Sequence, residues 1–185
     1  MCAAWLKTGL ERCSIIDFMD GHIPKYSLLE IERRMLVRAD LLPDLRGLTC
    51  KIIEDRYLDV GRLRLRKVTQ VGATEGTFKL CKKYGKIGTC EEPIVNIYLT
   101  AQEYEGFRHL PGSDILKRRY SYDFQGHHFS IDEHTDALAG LYLCEYEVTS
   151  AAVLSTVAFP SFAVEDVTAD ARFFGANLAR SKQWR

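Results

Sequence analysis

A mainly β protein of the α+β class is predicted by three features of this 185-residue chain. Short segments with period-two alternation recur from residue 27 to residue 148. Gly, Pro and Gln-Gly breaks separate them, and helical patterns are few and short. Many short strands with few helices argue for a barrel or a sandwich.

The elements follow in order. Residues 1–26 read as an extension, with an amphipathic helix over 1–22 that places Trp5, Leu6, Leu10, Cys13 and Ile16 near one face. Strands are expected over 27–38, 51–58, 62–68 and 77–83, the last two forming a hairpin around Gln70 to Gly76. A further strand is expected over 94–99. Thr100 and Glu103 then fit a capping box, opening a helix that runs to about Leu110 before Pro111-Gly112. Strands over 115–124 and 129–133 meet around Gln125-Gly126, and another spans 140–148. Short helices are expected over 150–157 and 169–179, the second interrupted at Gly175. Residues 181–185 form a tail.

The charges have an unusual order. Glu30-Ile31-Glu32, Arg62-Leu63-Arg64-Leu65-Arg66 and Glu145-Tyr146-Glu147 each place like charges two apart, which in a strand is one face. A solvated strand face commonly mixes signs, because opposite cross-strand charges attract. Here the signs are segregated: 62–86 is basic and 130–147 acidic. Acid rows attract metal cations and basic rows attract phosphates, so the two together suggest a site for a metal-bound polyphosphate.

Composition excludes several other classes. Hydrophobic residues make up 46% and charged residues 27%, ordinary for a globular domain. The net charge of zero leaves no global basic field for nucleic acid. No apolar run has the length of a membrane span. Lys7, Glu11 and Arg12 interrupt any secretory h-region, so a cytoplasmic protein with reduced thiols is expected. The six cysteines form no C-x-x-C pair, which argues against zinc. His127, His128 and His134 read as exposed loop histidines around a hairpin. No phosphate-cradling glycine motif is present.

In this order, the segments resemble the CYTH domain, the family of triphosphate tunnel enzymes. Its opening E-x-E-x-K is matched by Glu30-Ile31-Glu32-Arg33-Arg34, and its Gln-Gly-Tyr-Leu element by Asp55-Arg56-Tyr57-Leu58. Its arginine strand is matched by Leu63-Arg64-Leu65-Arg66, and its hairpin lysine by Lys82. Its K-x-R-Y is matched by Lys117-Arg118-Arg119-Tyr120. Asp132, Gly140, Glu145-Tyr146-Glu147 and the Asp166 to Phe173 segment follow, with Asn177 displaced. The resemblance covers about residues 27–180.

The resemblance implies a closed antiparallel eight-stranded β-barrel with a charged bore and a few flanking helices. It implies metal-dependent hydrolysis of a triphosphate, inorganic triphosphate foremost, with Mg²⁺ or Mn²⁺. Class IV adenylate cyclase and a non-catalytic polyphosphate- or nucleotide-binding module are the alternatives. Arg34, Arg64, Arg66, Lys82, Lys117 and Arg119 would grip phosphate, and Arg62 shares their parity; Lys79 is expected to point outward. Glu30, Glu32, Asp132, Glu145 and Glu147 would hold the metal. Glu32, Tyr57 and Arg34 form the implied catalytic set. The partner is a small anionic triphosphate, without nucleic acid or membrane; a homodimer is compatible with this reading.

Two departures stand out. In some triphosphatases of the family, the lysine matched by Arg34 is assigned to water activation together with the tyrosine. An arginine is never deprotonated in a protein, so here it would orient a phosphate or water. The family's R-x-E-Y-E strand is poorly matched by Glu92-Pro93-Ile94-Val95-Asn96, so a basic and an acidic contact are expected to be missing.

Overall fold

Alternating apolar and charged residues become strands whose two faces meet different surroundings. The computed structural model describes residues 23–184; the helix expected over 1–22 lies outside them. The strands are β1 (Leu28–Val37), β2 (Cys50–Leu58), β3 (Leu63–Gln70), β4 (Gly76–Lys83), β5 (Glu91–Leu99), β6 (Gly112–Phe124), β7 (His127–His134), β8 (Tyr142–Val148) and β9 (Ala163–Asp166). The helices are α1 (Ala101–Arg108), α2 (Ala151–Leu154) and α3 (Gly175–Ser181).

All pairings are antiparallel, in the order β5-β4-β3-β2-β6-β7-β8-β1. Leu28 to Ile31 of β1 then pair with Ile94 to Glu91 of β5, which closes an eight-stranded barrel. Closure removes the open edges that a sheet would expose. The far end of β1 runs past β5, and the short strand β9 pairs with it there. Sequence alternation did not reveal β9; its four residues depend on this tertiary partner.

Local signals account for the joints. Thr100 accepts from the Glu103 backbone N–H while the Glu103 carboxylate accepts from the Thr100 backbone N–H, so the expected capping box opens α1. Gln125 and Gly126, at φ 51° and 78°, form the two-residue turn between β6 and β7, the conformation that matches strand twist. Near the C-terminus the expected helix divides. Ala171–Phe173 is a 3-10 turn, and Gly175 begins α3 rather than interrupting it.

The barrel's apolar core lies largely outside its bore. Ile31, Met35, Val37, Phe129, Ile131, Cys144 and Tyr146 pack under Leu154, Val157 and Phe162. Leu65 is fully buried; on the same outer face Phe78 meets Tyr104 of α1 at 4.7 Å between ring centroids. A second, smaller cluster lies on the inward side, where Ile115 and Leu143 meet Phe173, Leu178 and Ala179 of the C-terminal segment at the end of the bore. Outward apolar residues thus bury themselves under helices and loops, leaving the alternate positions to face the bore. No described helix is long and apolar enough to cross a membrane.

Candidate active site in the barrel bore

The strand register decides which charges meet. Arg64 is opposite Tyr57 and Cys81, and Arg66 is opposite Asp55 and Lys79. Lys117 is opposite His134, Arg119 is opposite Asp132, and Arg34 is opposite Glu145. These residues share the inward parity. Most line one cavity of about 940 Å³, in which ten cationic side chains accompany six carboxylates.

Buried carboxylates hold the basic wall in place. Asp55 is 2% exposed and takes two bonds from Arg66, at 2.6 and 2.7 Å. Asp132 is 0% exposed. It receives Lys117 Nζ at 2.5 Å and Arg119 Nε and Nη2 at 2.6 Å each. Arg119 also reaches Glu145. Burial opposes ionisation of these acids, but the adjacent cations outweigh it: Arg66 and Arg64 hold Asp55 below the ordinary carboxylate range, and Arg119 and Lys117 do so for Asp132. Glu145 is held well below it by Arg119, Lys117 and Arg34.

Arg34 binds Glu32 at 2.7 Å, Glu145 at 3.1 Å and the Phe173 carbonyl at 3.2 Å. Although burial opposes its charge, Glu32 and Glu145 raise its pKa further. Tyr57 is also raised, by burial and then by Asp55. Neither group accepts a proton at neutral pH. Arg34 instead orients two carboxylates and fastens the C-terminal segment. That segment approaches very closely: a Cβ at Gly175 would lie 1.9 Å from the Tyr57 hydroxyl oxygen, so glycine is needed there.

The acidic wall suits a hard dication. Glu30 is directly opposite Glu92, and Glu32 is directly opposite Glu147, an unfavourable arrangement without a counter-charge. Burial and then neighbouring glutamates raise Glu147, while Glu32 is raised by burial and Glu145 against the pull of Arg34. Among the described residues, no three acidic, histidine or cysteine side chains already surround one point. Glu30 and Glu32 are occupied by Lys83 and Arg34. The all-oxygen donor set of Glu30, Glu32, Glu145 and Glu147 is of the kind that suits a hard divalent cation.

The structure brings together Glu30, Glu32, Arg34, Tyr57, Arg62, Arg64, Arg66, Lys117, Arg119, Glu145 and Glu147 around the cavity. It places four others differently from expectation. Lys82 is opposite Leu63 and places its ammonium over the Tyr84 ring at 5.7 Å, away from the cavity that Lys79 and Lys83 line. The expected orientations of Lys79 and Lys82 are therefore reversed. Phe78 and Leu80 carried the signal, because their outward apolar parity is also that of Lys82. Asp132, expected among the metal carboxylates, has both oxygens engaged by Lys117 and Arg119 and is closed off from the cavity. His134, expected in an exposed loop, ends β7 and is buried facing the bore; burial and then Lys117 lower its pKa to about 4.

The poorly matched fifth strand does supply a contact. Glu92 faces inward and bonds Lys83 at 3.1 Å, and Lys83 also bonds Glu30. Lys83→Ala should therefore destabilise the fold by about 1–3 kcal/mol, leaving two carboxylates without their cation. Lys82→Ala should stay within about 0.5 kcal/mol of wild type. Urea denaturation of both variants tests the register; equal losses would contradict it.

Comparison with protein-family models and with curated proteins gives no match. Solved structures do match. The crystal structure of the inorganic triphosphatase NE1496 aligns with a TM-score of 0.55 and 26% identity, covering 81% of this chain and 93% of that one. A second NE1496 structure aligns with a TM-score of 0.55 and 27% identity, covering 81% and 97%. The PH1819 protein from Pyrococcus horikoshii OT3 shares the fold, at a TM-score of 0.50 and 19% identity over 69% of this chain and 82% of that one. The closed barrel, the ordered charge motifs of its bore and the likeness to an inorganic triphosphatase are together those of the CYTH, or triphosphate tunnel, family.

Proposed function

We propose that this chain hydrolyses the terminal phosphoanhydride of a triphosphate, inorganic triphosphate foremost, with Mg²⁺ or Mn²⁺. The observation that carries the reading is Arg64. Its guanidinium faces the cavity, yet its Nε is buried without a hydrogen-bond partner. Asp55 stands 3.7 Å from that nitrogen, Nη2 meets Cys81 Sγ at 3.6 Å, and Tyr57 hydrogen-bonds the same guanidinium, so Nε is the atom left without a partner. A permanently charged donor left unsatisfied in a cavity with surplus cations suits an anion with many oxygens.

The residues divide the work. Arg64, Arg66, Lys117 and Arg119 hold phosphate oxygens and stabilise charge as water attacks the terminal phosphorus and pyrophosphate leaves. Asp55 and Asp132 fix the directions of those cations. Arg34 keeps Glu32 and Glu145 in place. Glu30, Glu32, Glu145 and Glu147 would hold the dication, which supplies Lewis acidity and neutralises phosphate charge when bound.

The test is phosphate release from inorganic triphosphate, beside ATP and thiamine triphosphate, with Mg²⁺, Mn²⁺ or EDTA. Cation-dependent release, fastest from inorganic triphosphate, is the expected result. Arg64→Ala should weaken triphosphate binding about tenfold or more at low salt; unchanged affinity would remove Arg64 from the site. Arg34 and Tyr57, neither able to accept a proton, also favour a second reading, a module that binds polyphosphate without turnover. Tight triphosphate binding with no release under either cation would select it.

A further inference from the structure

We propose that His134 is a ligand-contacting residue of the bore, its imidazole hydrogen-bonding a phosphate oxygen of the anion held by Lys117. The inference rests on the triphosphate reading above and adds to it a residue that none of the charge motifs contains.

Three observations converge on it. His134 is directly opposite Lys117 across β6 and β7, so the imidazole neighbours a cation of the basic wall. It is 4% exposed and lines the cavity. Its Nδ1 is buried with no hydrogen-bond partner. A buried polar atom left unpaired lowers stability, so proteins seldom keep one without a use. The inward neighbours Ile115 and Leu143 are apolar, and both belong to the cluster beneath α3. A position serving packing alone among them would be filled better by leucine or phenylalanine. An imidazole there marks the boundary between the charged band and its apolar end. The Leu141 carbonyl lies against the imidazole, yet Nδ1 stays unpaired, and a phosphate on Lys117 would bring an oxygen to it. A metal-ligand role is less well supported, because no group of three ligating side chains occurs among the described residues.

The test combines binding with stability. Isothermal titration of inorganic triphosphate into the full chain, in EDTA so that turnover does not intervene, compares wild type with His134→Phe and His134→Gln. Thermal melts of the ligand-free proteins accompany it. His134→Phe should bind about tenfold more weakly or worse, the loss expected for a hydrogen bond to a charged group. Its Tm should equal or exceed that of wild type, because the unpaired nitrogen is gone. His134→Gln keeps a polar group and should stay within about threefold of wild-type affinity. Wild-type affinity in His134→Phe overturns the proposal. So does a parallel fall of affinity and Tm in both variants, which marks a packing role. If the wild type itself binds no triphosphate, the functional reading fails and this inference fails with it.

Discussion

Asp132→Ala is expected to lower the unfolding free energy by about 3–5 kcal/mol, the usual cost of breaking a buried ion pair by removing one member. Asp132 is fully buried and serves Lys117 and Arg119 at once. Without it, two cations remain in a low-dielectric wall with Glu145 as the nearest acid, which Arg119 already shares with Arg34. Urea denaturation would show the loss as a lower midpoint at unchanged slope. A loss below about 1 kcal/mol would mean that water or Glu145 replaces the carboxylate, and that the wall is not held as described.

The same network fixes an acid dependence. Asp55, Asp132 and Glu145 all have folded pKa values below their ordinary ones. Their stabilisation is therefore present above the unfolded carboxylate range, near pH 4, and is lost as pH falls through the lower folded values. Asp132→Asn removes one such contribution, so its stability should fall less steeply below about pH 4 than that of wild type. A companion variant separates fold from function. Replacing Asp132, Lys117 and Arg119 together with apolar residues of similar volume should recover most of the stability that Asp132→Ala loses, Glu145 keeping Arg34 as its cation. It should abolish triphosphate binding. Such an outcome would show that the ion network is kept for the anion rather than for the barrel.

Much of this was legible in the sequence because the strand period is two and the bore is charged. Glu30, Glu32, Arg64, Arg66, Glu145 and Glu147 declare their face through outward neighbours such as Ile31, Leu65 and Tyr146, all of them buried. Parity failed where lysines occupy both faces of β4: Lys79, Lys82 and Lys83 look alike until the hairpin register sets Arg66 against Lys79. His134 was obscured because Gln125-Gly126 and the His127-His128 pair suggested a loop, although the strand continues to His134. Its parity with Asp132 was the available signal. What the sequence could not supply was pairing across the bore. Asp132 reads as one more acid until Lys117 and Arg119 are seen to occupy it, and Arg34 reads as a substituted lysine until its contact with the Phe173 carbonyl appears.

Glu32→Gln is expected to reduce kcat for inorganic triphosphate by about 100-fold or more, the scale on which a single electrostatic contact of an active site acts. Glu32 stands opposite Glu147, one inward position from Glu30, and takes Arg34 at 2.7 Å. Burial, Glu145 and Glu30 raise its pKa against the pull of Arg34. The amide keeps the shape and an oxygen for Arg34 but removes the charge that would bind a dication. Folding should therefore change by about 1 kcal/mol or less, because relief from Glu147 and Glu30 offsets part of the weakened bond to Arg34. Triphosphate affinity in EDTA should be unchanged or tighter, since one negative charge has left the cavity. Turnover, by contrast, should no longer respond to Mg²⁺ or Mn²⁺ at concentrations that saturate wild type. Wild-type turnover in Glu32→Gln would remove Glu32 from the chemistry. A large fall in Tm alongside lost turnover would instead make its pairing with Arg34 a structural latch for the C-terminal segment.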